Sequence, residues 1–147
     1  MRVLVQTDNI GYAKACNVGI LASRGAAIVA LNPDAFAEPC WLERMGAHLS
    51  DGVAAVGPVS DAITGNQFIG NYITGQAPVA AELSGRLASD QAGTAIETKL
   101  LMGVCLVMCR DILDKHGLLC EETELGADDL EFSWRYRQLG YELPPYS

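Results

Sequence analysis

Two short acidic segments carry most of the chemistry this sequence can perform. The first is Asn32-Pro33-Asp34, which follows the apolar run Ala26–Leu31. A carboxylate just past the carboxyl end of a strand is well placed to hold Mg²⁺ or Mn²⁺, hard cations that take oxygen ligands and share them with substrate phosphates. All three residues also favour turns, and for the tripeptide alone a plain turn is the stronger reading. The second segment is Ala127-Asp128-Asp129-Leu130-Glu131-Phe132-Ser133-Trp134-Arg135, where three carboxylates open a helix at the positive end of its dipole. With Asp128 as N-cap and Glu131 third in the helix, the pattern is a capping box, and Glu131 and Arg135 form an i,i+4 pair. Neither device gives Asp129 a task. A carboxylate fixed at a helix start beside a pocket suits a general base.

Weaker candidates surround these. Asn9, Lys14 and Asn17 lie along one early helix and its entry, within reach of a nucleotide or its phosphates; the plain alternative is a solvated lysine and an asparagine bonded to a neighbouring loop. Gly103, inside an otherwise apolar run, either admits a ligand closely or marks a bulge. Trp134 is balanced between a place in the core and a sugar-stacking wall, whereas Trp41 is expected in the core. His48 and His116 are expected at the surface or at helix ends. The cysteines, Cys16, Cys40, Cys105, Cys109 and Cys120, are odd in number and contain no Cys-x-x-Cys pair. Reduced, mostly buried thiols are expected, not a disulfide framework or a zinc site.

Composition narrows the class. Half of the 147 residues are apolar and the net charge is −8. That charge argues against nucleic acid as partner, because phosphate binding needs clustered Lys and Arg. An acidic chain still accepts an anionic cofactor when a divalent cation lies between them. No apolar run reaches the length of a membrane span, and Met-Arg-Val-Leu-Val is too short for a secretory signal. A cytoplasmic protein is expected, compatible with peripheral attachment to the inner face of a membrane and with homo-oligomers.

The elements that must position these residues follow from pattern and punctuation. Arg2–Thr7 is expected as a short buried strand, Tyr12–Ser23 as a helix with Cys16, Gly19, Ile20 and Ser23 on one face, and Ala26–Leu31 as a strand covered on both sides. That strand–helix–strand order implies parallel strands. A second helix starts near Pro39 with Leu42, Met45, Gly46 and Leu49 on one stripe, and Val53–Val56 forms a strand closed by Gly57-Pro58. From Ser60 to Thr98 the pattern weakens into a long loop, with a helix near 80–87. Leu100–Cys109 is expected as a central strand, Arg110–His116 as a helix stopped by Gly117, and Asp129–Leu139 as a helix stopped by Gly140. No Gly-x-Gly-x-x-Gly turn follows a strand, which disfavours a dinucleotide-binding oxidoreductase.

In order and spacing these segments resemble glycosyltransferase family 2, the inverting enzymes of the GT-A fold. Asn9-x-Gly11 with Asn17-x-Gly19-Ile20 is similar to the family's early helix. Leu31-Asn32-Pro33-Asp34 and Trp41-Leu42-Glu43 are similar to its metal loop, Gly57-Pro58 and Gly103-Val104-Cys105-Leu106-Val107 to two strand positions, and Asp128-Asp129-Leu130-Glu131 with Arg135 and Gly140-Tyr141 to its acidic segment. The resemblance implies an α/β, Rossmann-like, mostly parallel sheet flanked by helices and incomplete at the N-terminus, as in an excerpt from a larger protein. It divides the chain into a metal-loop half over 1–59, an acceptor-side segment over 60–98 and a base-bearing half over 99–147. It implies Asp34 on Mn²⁺ or Mg²⁺, with Asn32 where the family has its first motif aspartate, and Asp129 as the base that deprotonates an acceptor hydroxyl. Asp128 stands where the family usually has Glu, Glu131 where it often has Asp, and Arg135 supports the diphosphate or holds the acidic loop. The implied partners are a nucleotide-diphosphate sugar and a saccharide or lipid-linked acceptor, with hexosyl or deoxyhexosyl transfer into cell-surface polysaccharide as the general case. A non-catalytic sugar-nucleotide-binding module, completed by a partner or a further N-terminal segment, is the competing expectation.

Overall fold

The computed structural model describes residues 2–37, 39–60, 63, 65–68, 98–123 and 127–146. Among them a four-stranded sheet is assembled from β1 (Ala27–Leu31), β2 (Ala55–Pro58), β3 (Cys105–Cys109) and β4 (Pro145–Tyr146), in the order β1-β3-β2-β4. β3 is antiparallel to both of its neighbours, and β4 is parallel to β2. Three strands therefore run one way and β3 alone runs against them, so the expected mostly parallel sheet carries one reversed central strand. The β4 pairing was hidden in the sequence by Pro144 and Pro145, residues tolerated only at strand ends and sheet edges.

Register sorts the side chains into two cores. Ile28 faces Met108, Ala30 faces Leu106 and Ala55 also faces Met108; directly opposed residues share a sheet face. This face packs against α1 (Tyr12–Ala22), α3 (Arg110–His116) and α4 (Asp128–Gln138) through Ile20, Leu113, Phe132 and Tyr136. The other face, with Val56, Cys105 and Val107, is covered by Met45 and Trp41 of α2 (Trp41–Gly46). Trp41, expected in the core, is half-buried and packs against it. Burial of Cys105 pushes its thiol up to about 11. All five cysteines are free, but only Cys105 is fully buried and Cys40 is exposed, so the expectation of mostly buried thiols holds for one of them.

Several expected boundaries move for physical reasons. Arg2–Thr7 forms no strand among the described residues, and Val3, Leu4 and Val5 are exposed; an apolar run becomes a strand only when its peptide groups find a ladder. β1 is covered on one face, not two: Met45 and Trp41 pack over β2 and β3 on the second face, and Val29 and Leu31 there are exposed. Leu100–Val104 precedes β3 instead of belonging to it, and β2 lies two residues later than expected, with Val53 only bridged to Glu142. In α1 the packed side is Ala13, Cys16, Asn17 and Ile20; Gly19 and Ser23 face solvent. α4 begins at Asp128 with Ala127 as N-cap and no side-chain cap, so the capping box is not formed. The expected helix near 80–87 and most of the 60–98 segment lie outside the described residues.

Arginine side chains close the helix ends. Arg110 donates from Nε to the Gly25 carbonyl (2.7 Å) and from Nη2 to the Ile20 carbonyl (3.2 Å) and Ser23 Oγ, tying the end of α1 to the start of α3. Arg2 donates to the Ala22 carbonyl at the same end. No described helix is long and apolar enough to cross a membrane.

Gly57 in β2 has no room for a side chain: a Cβ there would lie 2.7 Å from Gln67 Nε2 and 2.9 Å from Leu101 Cδ2. Both neighbours are fully buried and hydrogen-bonded or packed in place. Gly57→Ala is expected to lower stability by about 1–3 kcal/mol in urea unfolding. A loss below about 0.5 kcal/mol would contradict this packing.

Candidate active site

β1 and β2 end, and β3 begins, at one end of the sheet, since Leu31 is opposite Cys105. Leu101–Val104 crosses this end without joining a ladder, and its peptide groups need partners elsewhere. They find them in four different parts of the chain. The Leu101 N–H donates to Ser133 Oγ of α4 (3.0 Å) and the Met102 N–H to Gln67 Oε1 (2.7 Å). The Gly103 N–H donates to Asp129 Oδ2 (3.1 Å), while the Gly103 carbonyl accepts from the Tyr12 hydroxyl of α1 (3.2 Å). The Val104 carbonyl accepts from the Asn32 N–H (3.0 Å). This strap joins the loop after β1 to the first turn of α4.

Asp129 is half-buried, with one carboxylate oxygen held by Gly103. A Cβ on Gly103 would approach Asp129 Oδ2 at 3.8 Å and the Tyr12 hydroxyl at 3.9 Å, ordinary contacts across a small gap. Burial pushes the Tyr12 hydroxyl above its usual range, and Cys16, Asp128 and Asp129 push it further, so it keeps its proton. Burial likewise raises the Cys16 thiol, against a Tyr12 hydrogen bond and with the charge of Asp128. Tyr12, Cys16, Asp128 and Asp129 thus share one half-buried, acidic environment around Gly103.

Asp34 is exposed in the turn after β1, closed by the Ala35 N–H donating to the Asn32 carbonyl (3.1 Å). Among the described residues no group of three or more His, Cys, Asp or Glu could hold a metal. Asp34 and Asn32 offer only hard oxygens from one short turn. Such a donor set fits a Mg²⁺- or Mn²⁺-type cation that takes its remaining ligands from phosphates and water.

The other sequence candidates separate into two kinds. Asn17 is buried and fully engaged: its Nδ2 donates to the Leu119 carbonyl (2.8 Å) and Glu121 Oε1 (2.9 Å), and its Oδ1 accepts from the Leu119 N–H (3.1 Å). Arg135 pairs with Glu131 (2.7 Å) and donates to the carbonyls of His116 (2.9 Å), Gly117 (3.3 Å) and Leu118 (2.6 Å). Asn17 and Arg135 thus fasten the 116–121 stretch to α1 and α4. Lys14 and Trp134 face solvent, and Asn9 Oδ1 accepts from the Gly11 N–H (3.1 Å) to set the entry of α1. His116 bonds Tyr141 at the end of α3 (2.9 Å). Sequence reasoning missed Tyr12, Ser133 and Gln67. A polar residue on the buried face of a helix was the available signal for Ser133; Gln67, in a Gly- and Asn-rich loop, offered none.

The family model of Glycosyl transferase family 2 matches residues 1–117. The chain belongs to that family. Its matched part contains the Asp34 turn, Tyr12 and Gly103, whereas Asp128–Arg135 lies beyond it. No curated protein sequence matches the chain. A solved structure of similar fold is the mannosyltransferase PcManGT from Pyrobaculum calidifontis, in complex with GDP-Man and Mn²⁺; it superposes with a TM-score of 0.60 at 17% identity over 96% of this chain. The family 2 chain spans 37% of that protein's length, and the likeness supports the GT-A fold.

The strap's buried bonds are expected to be measurable in stability. Ser133→Ala leaves the buried Leu101 N–H without its acceptor and is expected to cost about 1–3 kcal/mol in urea unfolding. Gly103→Ala, whose methyl meets nothing nearer than 3.6 Å, is expected to cost about 1 kcal/mol or less. The reverse order would show that the strap is not pinned in this way.

Proposed function

We propose that this chain forms the cation-binding and base-bearing part of an inverting transferase that moves a sugar from a nucleoside-diphosphate donor to an acceptor hydroxyl. The observation that carries the reading is the strap, which ties the Asn32–Asp34 turn and the Asp129 carboxylate to the same short run of backbone. Family membership and the GDP-Man and Mn²⁺ bound by the similar structure support the donor class.

Inversion by direct displacement requires a base at the acceptor and charge stabilisation at the leaving diphosphate. Asp129 meets the first need: the Gly103 N–H fixes one oxygen, orienting the other to take the acceptor's proton as the new glycosidic bond forms. Asp34, with the Asn32 side-chain oxygen, meets the second by holding a divalent cation. When bound, that cation supplies positive charge to the diphosphate. Asp128 adds to the acidic field around Asp129. Lys14, Asn9 and Gly103 lie on the donor side of this proposal and Trp134 on the acceptor side, while Asn17, Glu131 and Arg135 hold the loop.

Transfer assays with UDP-, GDP- and dTDP-sugars and Mn²⁺, on the complete polypeptide carrying this chain, test the reading. Asp129→Asn is expected to lower kcat by about 10²–10⁴-fold with little change in the donor KM. Asp34→Asn is expected to weaken donor binding and raise the Mn²⁺ concentration required. Gly103→Ala, tolerated by the fold, is expected to reduce transfer by filling the gap beside Asp129. Asp129→Asn retaining more than about half of the turnover would overturn the assignment.

A further inference from the structure

We propose that Tyr12 is a positioning residue for Asp129, acting through the peptide groups on either side of Gly103. The inference rests on Asp129 being the base. Gly103 has no side chain to pack, and glycine ranges over more backbone conformations than any other residue. Its peptide planes are therefore set from outside. On the carboxyl side the anchor is the Tyr12 hydroxyl, which donates to the Gly103 carbonyl at 3.2 Å; on the amino side the Gly103 N–H donates to Asp129 Oδ2 at 3.1 Å. A rotation of Gly103 that broke the first bond would re-aim the second.

Tyr12 is itself fixed. It is the first residue of α1, follows Gly11 at φ 85°, and that entry is held by Asn9 Oδ1 on the Gly11 N–H. Its ring packs against the main core while the hydroxyl reaches the strap. Burial and the neighbouring acidic groups keep the hydroxyl protonated, so it donates throughout the range in which a carboxylate base works. Nothing else among the described residues hydrogen-bonds the Gly103 carbonyl.

Tyr12→Phe removes the hydroxyl and leaves the ring. The expected result is a fall in kcat of about 10–100-fold, the scale of a small misplacement of a catalytic group, with the donor KM and nucleotide affinity within about twofold. A second measurement works even if Tyr12→Phe is less stable. In an Asp129→Glu background, where the carboxylate is already displaced, adding Tyr12→Phe is expected to cost less than about twofold more, because both changes act on one group. Full turnover in Tyr12→Phe, equal losses in kcat and donor affinity, or additive losses in the double variant would each overturn the role of Tyr12. If Asp129→Asn is inactive and Tyr12→Phe is normal, only this inference fails. If Asp129→Asn is active, the base assignment fails with it.

Discussion

Five hydrogen bonds to the backbone of Leu101–Val104 hold the functional end of this molecule together. An irregular segment at a sheet end must satisfy its peptide groups or lose free energy for each one left unpaired. Here the partners come from the entry of α1, the turn after β1, the 65–67 turn and α4. The path of the segment is set by these four parts, each of which is anchored elsewhere in the fold as well. One of the five partners is the Asp129 carboxylate itself, so satisfying a peptide group and aiming a carboxylate are the same event.

The remaining polar network serves the same end. Arg110 closes α1, and Arg135 collects the last carbonyl of α3 and the two that follow it, acceptors at a helix end that the helix itself leaves open. Asn17 grips Leu119 from the opposite side. The stretch 117–121 is therefore fastened from both α1 and α4. Charge follows the dipole in α4, with Asp128, Asp129 and Glu131 in its first turn and Arg135 and Arg137 in its last. The acidic residues are concentrated where anions are best tolerated, which lets two adjacent carboxylates remain beside a half-buried gap.

What was legible in the sequence was local. Arg110–His116 and its stop at Gly117 were readable because a short amphipathic run ends in a glycine, here at φ 99°. The Glu131–Arg135 pair followed from i,i+4 spacing, and the family from the order of Asn9, Gly11, Asn32, Asp34 and Gly103. What was not legible depends on distant partners. The direction of β3 cannot be read from an apolar run, and Arg2–Thr7 has strand composition without a ladder. The capping box is absent because α4 starts one residue early, with Ala127 as N-cap and Asp128 already helical, and Glu131 pairs with Arg135. Tyr12 looked like a routine helix residue; its task depends on Gly103, 91 positions away.

If the Asp34 turn and Asp129 flank one site across the strap, one bound cation must lie near both. Paramagnetic broadening by a single bound Mn²⁺–nucleoside diphosphate complex tests it directly in a ¹⁵N-labelled protein. The account predicts that amide signals of Asn32 to Ala35 and of Gly103, Val104 and Asp129 broaden together, and that Asp34→Ala abolishes both effects. Broadening centred on other residues, or broadening of these signals that survives Asp34→Ala, would contradict it.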